Sequence, residues 1–221
     1  MVEQQVFFRS VSFSDNLFLQ AKSLACARGA REVFSNLNFC IKAGEALAVY
    51  GTNGSGKTSL LRMTAGFLAP RAGSLCFSGQ PDEAVEPAAY CHYLGHADGL
   101  KANLTVSETV DFTVRIFGHL DTMIDLSVLG LAGHGMQMVG DLSAGQKRRL
   151  MLARLLIAPR PIWLLDEPLT ALDTQGRELI ETLANHHLQR GGMILAASHE
   201  GLSFATHQLT LERDTHQVVA L

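Results

Sequence analysis

The sequence lacks the features expected of a membrane-spanning or secreted chain. No apolar run reaches the roughly 18 residues that a transmembrane helix needs. The first twenty residues have no basic start, unbroken apolar core or small-residue cleavage site, and they are not Arg-rich. These absences argue against a secretory signal and a mitochondrial presequence. A basic surplus is also missing, because 18 Lys and Arg face 21 Asp and Glu, so nucleic acid is not expected as the main ligand.

Cysteine motifs and repeats are equally scarce. There is no C-x-x-C pair, which argues against a zinc ribbon, and we expect the four cysteines to be reduced, buried thiols, namely Cys26, Cys40, Cys76 and Cys91. No repeat of 20–50 residues is visible, which excludes a solenoid. Only 18% of residues are charged, below the usual ~25%, which hints that a partner covers part of the surface.

A glycine-rich motif follows the short apolar run Ala46–Tyr50 and precedes a helical segment. It reads G-T-N-G-S-G-K-T and fits G-x-x-x-x-G-K-[ST]. Glycines permit positive φ, so consecutive N–H groups can face phosphate oxygens, and the N-terminus of the next helix favours negative charge. In such a loop Lys57 reaches the β- and γ-phosphates and the Thr58 hydroxyl ligates Mg²⁺. We therefore predict a nucleoside triphosphate site made by Gly51, Thr52, Asn53, Gly54, Ser55, Gly56, Lys57, Thr58 and Ser59.

Two adjacent acids end the apolar run 162–165. The carboxyl end of a parallel strand lies at the ligand crevice, so Asp166 is placed to hold Mg²⁺, directly or through water. Glu167 is placed to polarise the water that attacks the γ-phosphate. A strand that simply meets solvent at two acids is the alternative. The phosphate-binding motif beside it favours the metal-site interpretation.

The order of elements predicts one composite α/β domain over residues 1–221. Strand-like segments over 6–13 and 33–41 form a β-rich N-terminal part, and a helical insert occupies about 95–155. Thr105 and Glu108 form a capping-box pattern at the start of one insert helix. His186 and His187 are adjacent on a later helix, and we expect both to face solvent.

The run Leu142-Ser143-Ala144-Gly145-Gln146 precedes a basic helix, and here the chain resembles the ATP-binding cassette (ABC) ATPases. The resemblance implies a P-loop NTPase fold with a RecA-like core, an N-terminal antiparallel β subdomain and an inserted α-helical subdomain. It also implies a head-to-tail homodimer that sandwiches two ATP molecules. Ser143, Gly145 and Gln146 would then contact the γ-phosphate bound by the other protomer, as a helix N-terminus suits an anion. The alternative is that Ser143 only caps its helix.

Two further positions agree with the family order. Asp173 lies where the family's D-loop Asp communicates across the dimer, and His199 follows an apolar strand where the family has its switch histidine. The resemblance implies that His199 hydrogen-bonds the γ-phosphate and orients the attacking water. A lone histidine after a strand is otherwise incidental.

The chain departs from the general family pattern at two positions. His96 stands where most members have a glutamine that contacts Mg²⁺ and water; because Mg²⁺ prefers oxygen ligands, we expect His96 to act through water, or to be an exposed loop residue. Arg28 falls near the place of the aromatic residue that stacks on adenine. A guanidinium can also stack on a base, so weak base discrimination is expected.

The chain is similar to the ATP-binding subunits of cytochrome c maturation (heme exporter) complexes. The resemblance rests on these two departures and on Tyr93-Leu-Gly-His96, Trp163, Ala144 and Gly191-Gly192. That resemblance implies a peripheral ATPase on the cytoplasmic or matrix face of an inner membrane, docked on a polytopic subunit and involved in releasing heme-loaded chaperone. The partner helix would lie in a groove near Leu100–Val114, although Leu104, Phe112 and Phe117 are individually expected to be core. No heme-binding pattern such as C-x-x-C-H occurs in the chain.

Three other functions were compared with this interpretation. The chain could serve another small-molecule ABC exporter. A soluble ABC protein acting on DNA or ribosomes would need a coiled-coil insert or a second cassette, for which 221 residues leave no room. A nucleotide-binding regulator that does not hydrolyse ATP is disfavoured by the retained Glu167 and His199.

Overall fold

The computed structural model describes residues 12–29, 31–78, 90–95, 99–117, 124–212 and 216–220, which form two compact units. The β-rich unit comprises Ser12–Gly95, Arg160–Pro168 and Leu183–Leu221. The helical unit includes His96–Pro159 and Leu169–Thr182.

A three-stranded antiparallel sheet occupies the N-terminal part of the β-rich unit. Its strands are β1 (Phe18–Arg28), β2 (Arg31–Lys42) and β4 (Ala72–Ser78), in the order β2-β1-β4. The polar and apolar residues of β2 alternate, as expected for a strand with one solvated face. Leu37, Phe39 and Ile41 face the core, and Asn38, Cys40 and Lys42 are exposed.

A second sheet has six strands, namely β3 (Ala46–Tyr50), β5 (Cys91–Leu94), β6 (Ile162–Asp166), β7 (Met193–Ala197), β8 (His207–Leu211) and β9 (His216–Ala220). Their order in the sheet is β5-β6-β7-β3-β8-β9. All neighbours are parallel except β8 and β9. Strands β6 and β7 are buried along their whole length, which explains their continuous apolar sequences. The carboxyl ends of β3, β5, β6 and β7 meet at one edge.

Helix α1 (Lys57–Thr64) follows β3 and packs on β6 and β7. Its buried leucines join a core to which both sheets contribute. That core includes Leu19, Leu37, Val49, Leu60, Leu61, Leu164 and Leu195. The loop between β3 and α1 is therefore fixed at both ends by buried elements.

The helical unit contains α2 (Val106–Phe117), α3 (Ala144–Ile157) and the first part of α4 (Thr174–Gln189). Helices α2 and α3 pack together, and short 3₁₀ turns at Leu126–Leu129 and Val139–Asp141 lie between them in sequence. The predicted capping box is confirmed, because Thr105 N donates to Glu108 Oε2 at 2.8 Å and Glu108 N donates to Thr105 Oγ1 at 3.2 Å.

The predicted α/β architecture is confirmed, but several local expectations are wrong. Cys26 and Cys91 are buried, whereas Cys40 and Cys76 are exposed because they alternate with inward-facing residues on β2 and β4. Ser12 and Phe13 lie outside any strand; residues 6–11 of the strand predicted over 6–13 lie outside the described residues.

Two side chains also lie in unexpected environments. His187 is buried against Trp163 instead of facing solvent, with ring centroids 3.9 Å apart and planes 11° apart. Phe112 is exposed instead of core, because Val106, Val110 and Val114 form the buried face of α2. No helix within the described ranges is long and apolar enough to cross a membrane.

Candidate functional site

The glycine-rich loop has the backbone geometry that a phosphate-binding loop requires. Gly56 has φ 107°, and a Cβ there would lie 2.6 Å from Val33 Cγ1, so only glycine fits. Gly54, with φ 81°, faces open space. Ser55 Oγ is buried and finds no hydrogen-bond partner among the described residues. This buried polar atom fits a loop that binds oxygens of a ligand.

Lys57 extends back across its own loop. Its Nζ donates to the Gly51 carbonyl oxygen at 2.8 Å and lies 3.3 Å from His199 Nε2. Burial lowers the pKa of Lys57, while the Glu167 and Asp166 carboxylates oppose that shift. The ammonium group is thus placed at the centre of the predicted triphosphate site.

Thr58 and Asp166, the two predicted metal ligands that lie within the described residues, are neighbours. Thr58, in the first turn of α1, donates through Oγ1 to Asp166 Oδ1 at 3.2 Å, and Asp166 ends β6. Both atoms are oxygens of the type that Mg²⁺ prefers. Among the described residues there is no group of three or more His, Cys, Asp and Glu that could hold a metal alone. The pair therefore fits an ion that phosphate oxygens and water also ligate.

Tyr93 is a site residue that the motif analysis missed. Its hydroxyl lies 3.5 Å from Asp166 Oδ2, because β5 and β6 are parallel neighbours. Burial raises the pKa of Tyr93, and a hydrogen bond from Arg62 opposes that shift. Tyr93 stood out in the sequence only as part of the run Tyr93-Leu-Gly-His96. No strand was predicted at 91–94, so nothing in the sequence indicated that Tyr93 would lie beside Asp166.

Glu167 and His199 face each other at the end of the parallel sheet. Glu167 Oε1 lies 3.4 Å from His199 Nε2, and the Glu167 N–H donates to the Ala197 carbonyl oxygen at 2.9 Å. Glu167 has φ 52°, a left-handed conformation that non-glycine residues adopt at a cost and often at functional sites. The backbone therefore directs this carboxylate toward the histidine.

Arg28 lies at the end of β1 and contacts the first turn of α1. Its Nη2 donates to Ser59 Oγ at 2.9 Å. The same serine hydrogen-bonds the buried Cys26 thiol, whose pKa burial raises. Arg28 is thus tied to the residue after Thr58, and it carries a positive charge beside the phosphate-binding helix.

The signature residues lie in the helical unit. Ser143 is the N-cap of α3 and forms a capping box with Gln146. The Ser143 N–H donates to Gln146 Oε1 at 2.9 Å, and the Gln146 N–H donates to Ser143 Oγ at 3.2 Å. A Cβ at Gly145 would lie 3.2 Å from the Ala171 carbonyl oxygen, which favours glycine there.

Arg149 connects this signature helix to Asp173. Its Nη1 donates to Gln175 Oε1 at 2.8 Å and its Nη2 lies 3.8 Å from Asp173 Oδ2. Asp173 also caps α4, since Oδ1 accepts the Gly176 N–H at 2.8 Å. The sequence marked Arg149 only as part of a basic helix, and nothing in its spacing indicated this contact.

His96, predicted as a catalytic and metal-site residue, lies outside the described residues. The remaining predicted residues fall into two groups. The β-rich unit brings together Gly51–Ser59, Asp166, Glu167, His199 and Arg28, and the helical unit brings together Ser143, Gly145, Gln146 and Asp173.

Comparison with known proteins identifies the family of the chain. The ABC transporter family model matches residues 34–170. The chain is 47% identical over 198 residues to the cytochrome c biogenesis ATP-binding export protein CcmA of Rhodopseudomonas palustris strain BisB5, covering 88% of this chain and 98% of that protein. It is 47% identical to CcmA of Bradyrhizobium diazoefficiens, covering 87% of this chain and 97% of that protein.

Solved structures give the same fold. A putative ABC transporter ATP-binding protein from Pyrococcus furiosus superposes with a TM-score of 0.73 at 21% identity, covering 88% of this chain and 97% of that one. An ATP-binding subunit of an ABC transporter superposes with a TM-score of 0.79 at 20% identity, covering 92% of this chain and 90% of that one. Fold, motif geometry and close relatives together show that the chain belongs to the ABC transporter family, as an ATPase of the CcmA type.

Proposed function

We propose that this chain is the ATP-hydrolysing subunit of an ABC complex in cytochrome c biogenesis, acting in heme export or the release of heme-loaded chaperone. The observation that carries the proposal is 47% identity along nearly the whole length of proteins named for that process. The residues that the chemistry requires are retained in hydrogen-bonding geometry, as the pairs Thr58–Asp166 and Glu167–His199 illustrate.

The phosphate-binding loop supplies the ground-state binding of ATP. Backbone N–H groups of Gly54–Thr58 and the Lys57 ammonium would contact the phosphate oxygens, and the N-terminus of α1 adds a favourable dipole. Lys57 holds its position through the Gly51 carbonyl oxygen, 2.8 Å away. Arg28 is proposed to lie against the base, with little selectivity between purines.

Thr58 and Asp166 are proposed to hold Mg²⁺ with the phosphates, and His96 is proposed to contact it through water. The ion, when bound, neutralises charge that develops on the transferred phosphoryl group. Tyr93 and Thr58 contact different oxygens of Asp166, so the carboxylate is oriented from both sides.

Glu167 is proposed to accept a proton from the attacking water, and His199 to orient that water and contact the γ-phosphate. Their 3.4 Å separation allows both side chains to reach one water molecule. The Nε2 atom of His199 lies near a donor, Lys57 Nζ, and an acceptor, Glu167 Oε1. The imidazole can therefore change its hydrogen-bond partner as ligand oxygens enter.

The active form is proposed to be a homodimer in which Ser143, Gly145 and Gln146 contact the γ-phosphate held by the partner, with Asp173 communicating across the interface. The Ser143 Oγ accepts the Gln146 N–H, which leaves its own proton for an incoming oxygen. Because Arg149 contacts Asp173, movement of the signature helix would be transmitted to that residue.

A polytopic membrane subunit is proposed as the second partner, with the chain peripheral on the cytoplasmic or matrix face of the inner membrane. Support comes from large apolar side chains that are exposed on the helical unit. These are Phe112, Ile116, Met136 and Met138, with Met136 85% exposed. An apolar set of this kind suits a short helix from a partner.

Phosphate release from Mg²⁺-ATP tests the enzymatic part of the proposal. Wild type is expected to release phosphate. The rate for Glu167→Gln is expected to be lower by a factor of at least about 100, because the variant lacks the proposed general base. Equal rates in the two proteins would remove Glu167 from the mechanism. Affinity purification from solubilised membranes tests the assembly, and recovery of no polytopic subunit would contradict the proposed complex.

Two variants of His96 provide a separate test of its proposed contact with Mg²⁺ through water. Because His96→Gln would restore an oxygen ligand, it is expected to support Mg²⁺-dependent hydrolysis better than His96→Ala. If both variants match wild type over a Mg²⁺ titration, His96 has no part in the reaction.

A further inference from the structure

A histidine outside the recognised motifs contacts the signature sequence. His134 Nε2 lies 2.9 Å from Gln146 Nε2, and its Nδ1 lies 2.9 Å from the Ala132 carbonyl oxygen. His134 stands nine residues before Ser143 in the sequence, in a loop between the two 3₁₀ turns. All these residues belong to the helical unit.

The chemistry of these groups decides which atom donates in each of the hydrogen bonds that link Ala132, His134, Gln146 and Ser143. A carbonyl oxygen only accepts, so His134 Nδ1 carries the proton and Nε2 presents a lone pair. The Ser143 N–H only donates, so the Gln146 oxygen must face it and the Gln146 NH₂ must face His134. The two constraints are independent, and they agree on a single orientation of the Gln146 amide.

The loop that carries His134 is itself fixed by backbone hydrogen bonds. The His134 N–H donates to Leu131 O at 3.1 Å, and the His134 carbonyl oxygen accepts the Gln137 N–H at 2.9 Å. Two consecutive turns therefore hold the imidazole in place. A rigid acceptor positioned in this way restricts Gln146 more than water would, since water can approach from many directions.

We propose that His134 is a positioning residue for the signature sequence, acting through Gln146 on Ser143. With the Gln146 amide held by His134, the capping box keeps the Ser143 Oγ lone pair on the Gln146 N–H. The hydroxyl proton of Ser143 then points away from its own helix, toward an oxygen of a triphosphate. The functional part of this inference depends on the proposed nucleotide-sandwich dimer, whereas the orientation of Gln146 can be measured in the monomer.

A double-mutant cycle tests the inference in full-length protein carrying Glu167→Gln, which is expected to keep ATP bound because it removes the proposed general base. The variants are His134→Ala, Gln146→Ala and their combination, with Gln137→Ala as the matched control. Gln137 lies in the same loop, and its side chain donates to the Asp141 carbonyl oxygen at 3.3 Å. The measurement is ATP-driven dimerisation by light scattering, at several protein concentrations.

His134→Ala is expected to raise the protein concentration at which half of the chains are dimeric. The loss of one neutral hydrogen bond corresponds to about fivefold, and the dimer contains two such sites. The double variant should match Gln146→Ala alone, because His134 acts only through that residue. His134→Gln places a carbonyl oxygen near the former Nε2 and should restore most of the loss. Additive effects, an unaffected His134→Ala or an equal loss in Gln137→Ala would each overturn the proposal.

Nuclear magnetic resonance of the monomer separates this inference from the dimer. Wild type should show His134 protonated at Nδ1 and a Gln146 side-chain NH₂ protected from solvent exchange, with that protection lost in His134→Ala and kept in Gln137→Ala. If the Glu167→Gln protein fails to dimerise with ATP, the sandwich is wrong, and the NH₂ protection still decides the role of His134. An unprotected NH₂ in wild type would refute that role whatever the dimer does.

Discussion

The Lys57 ammonium lies 3.3 Å from Nε2 of His199, a residue 142 positions later in the chain. The contact exists because β3 and β7 are parallel neighbours and both end at the same edge of the sheet. It joins a group proposed to bind phosphate to a residue proposed to orient water. Binding and turnover can therefore be separated by substituting each partner.

Substitutions of this pair should have different kinetic effects. Lys57→Ala is expected to abolish measurable ATP binding, because the loop loses its cation. His199→Ala should keep ATP affinity within a few-fold and lower kcat by about 100-fold, as for loss of a proton-handling or orienting group. Fluorescent-nucleotide titration and phosphate release measure the two effects. A His199→Ala protein with wild-type kcat would contradict the proposed role.

Arg28→Ala should weaken ATP and GTP binding equally, by about fivefold each, since a guanidinium stacks on either base. Arg31→Ala is the matched control, because Arg31 faces Arg28 in the strand register and is exposed. Competition titrations with ATP and GTP provide the measurement. A loss confined to ATP would mean that Arg28 reads the base by specific hydrogen bonds.

Thr105→Ala should lower the free energy of unfolding by about 1 kcal/mol, because it removes the side-chain half of a capping box at the start of α2. Ser107→Ala, at the second residue of the helix, should change it much less. Urea unfolding followed by circular dichroism measures both variants. If both variants lose the same amount of unfolding free energy, the side chain of Thr105 contributes no specific capping interaction.

The buried His187 should make the protein sensitive to acid. Its pKa is lowered to about 3, mainly by burial. The backbone carbonyl oxygens of Met193 and Pro161, which accept hydrogen bonds from the ring, oppose that shift, and the nearby His92 and Arg190 add to it. Between pH 6.5 and about 3 the unfolded chain therefore binds a proton that the folded chain does not. The free energy of unfolding should fall with falling pH by up to about 1.4 kcal/mol per pH unit from this residue.

His187→Phe should flatten that pH dependence, because phenylalanine cannot take up a proton and can still stack on Trp163. Urea titrations at several pH values between 4 and 7 measure the slope. His186→Asn is the comparison, since His186 is less buried. An unchanged slope in His187→Phe would assign the acid sensitivity to other groups.

Gly192→Ala should destabilise the fold by about 1–3 kcal/mol, the usual effect of overpacking a buried position. An added Cβ would lie 2.2 Å from His187 Nε2 and would displace the ring from Trp163. Gly201→Ala is the control, because its Cβ would meet nothing within 4 Å. Thermal unfolding distinguishes the two. A Gly192→Ala protein as stable as the control would show that the ring can move without cost.

The parts of the site that depend on local sequence were predictable. Gly51–Thr58 and Asp166–Glu167 combine fixed spacing with an adjoining apolar strand, and the chemistry of phosphate and Mg²⁺ restricts which residues can serve there. The Thr105–Glu108 cap was predictable for the same reason. Alternation on β2 also carried the information that Cys40 faces outward, although the general tendency of cysteine to be buried obscured it.

The remaining contacts depend on which strands and loops lie beside each other, and local sequence patterns do not reveal that arrangement. Tyr93 contacts Asp166 only because β5 lies beside β6. His134 reaches Gln146 through two turns whose hydrogen bonds have no distinct residue pattern. His187 is buried because Trp163 and Gly192 leave a flat space for its ring, so the apolar surroundings override the usual exposure of histidine.

The stack of Trp163 on His187 also provides an optical signal that needs no label. Trp163 is the sole tryptophan in the chain, it is buried, and it stands three residues before Asp166 on the same strand. Its emission therefore comes from one position, on the strand that ends at Asp166. Any event that separates the indole from the imidazole, whether denaturation or a shift of β6 during turnover, will change the intensity or colour of that emission.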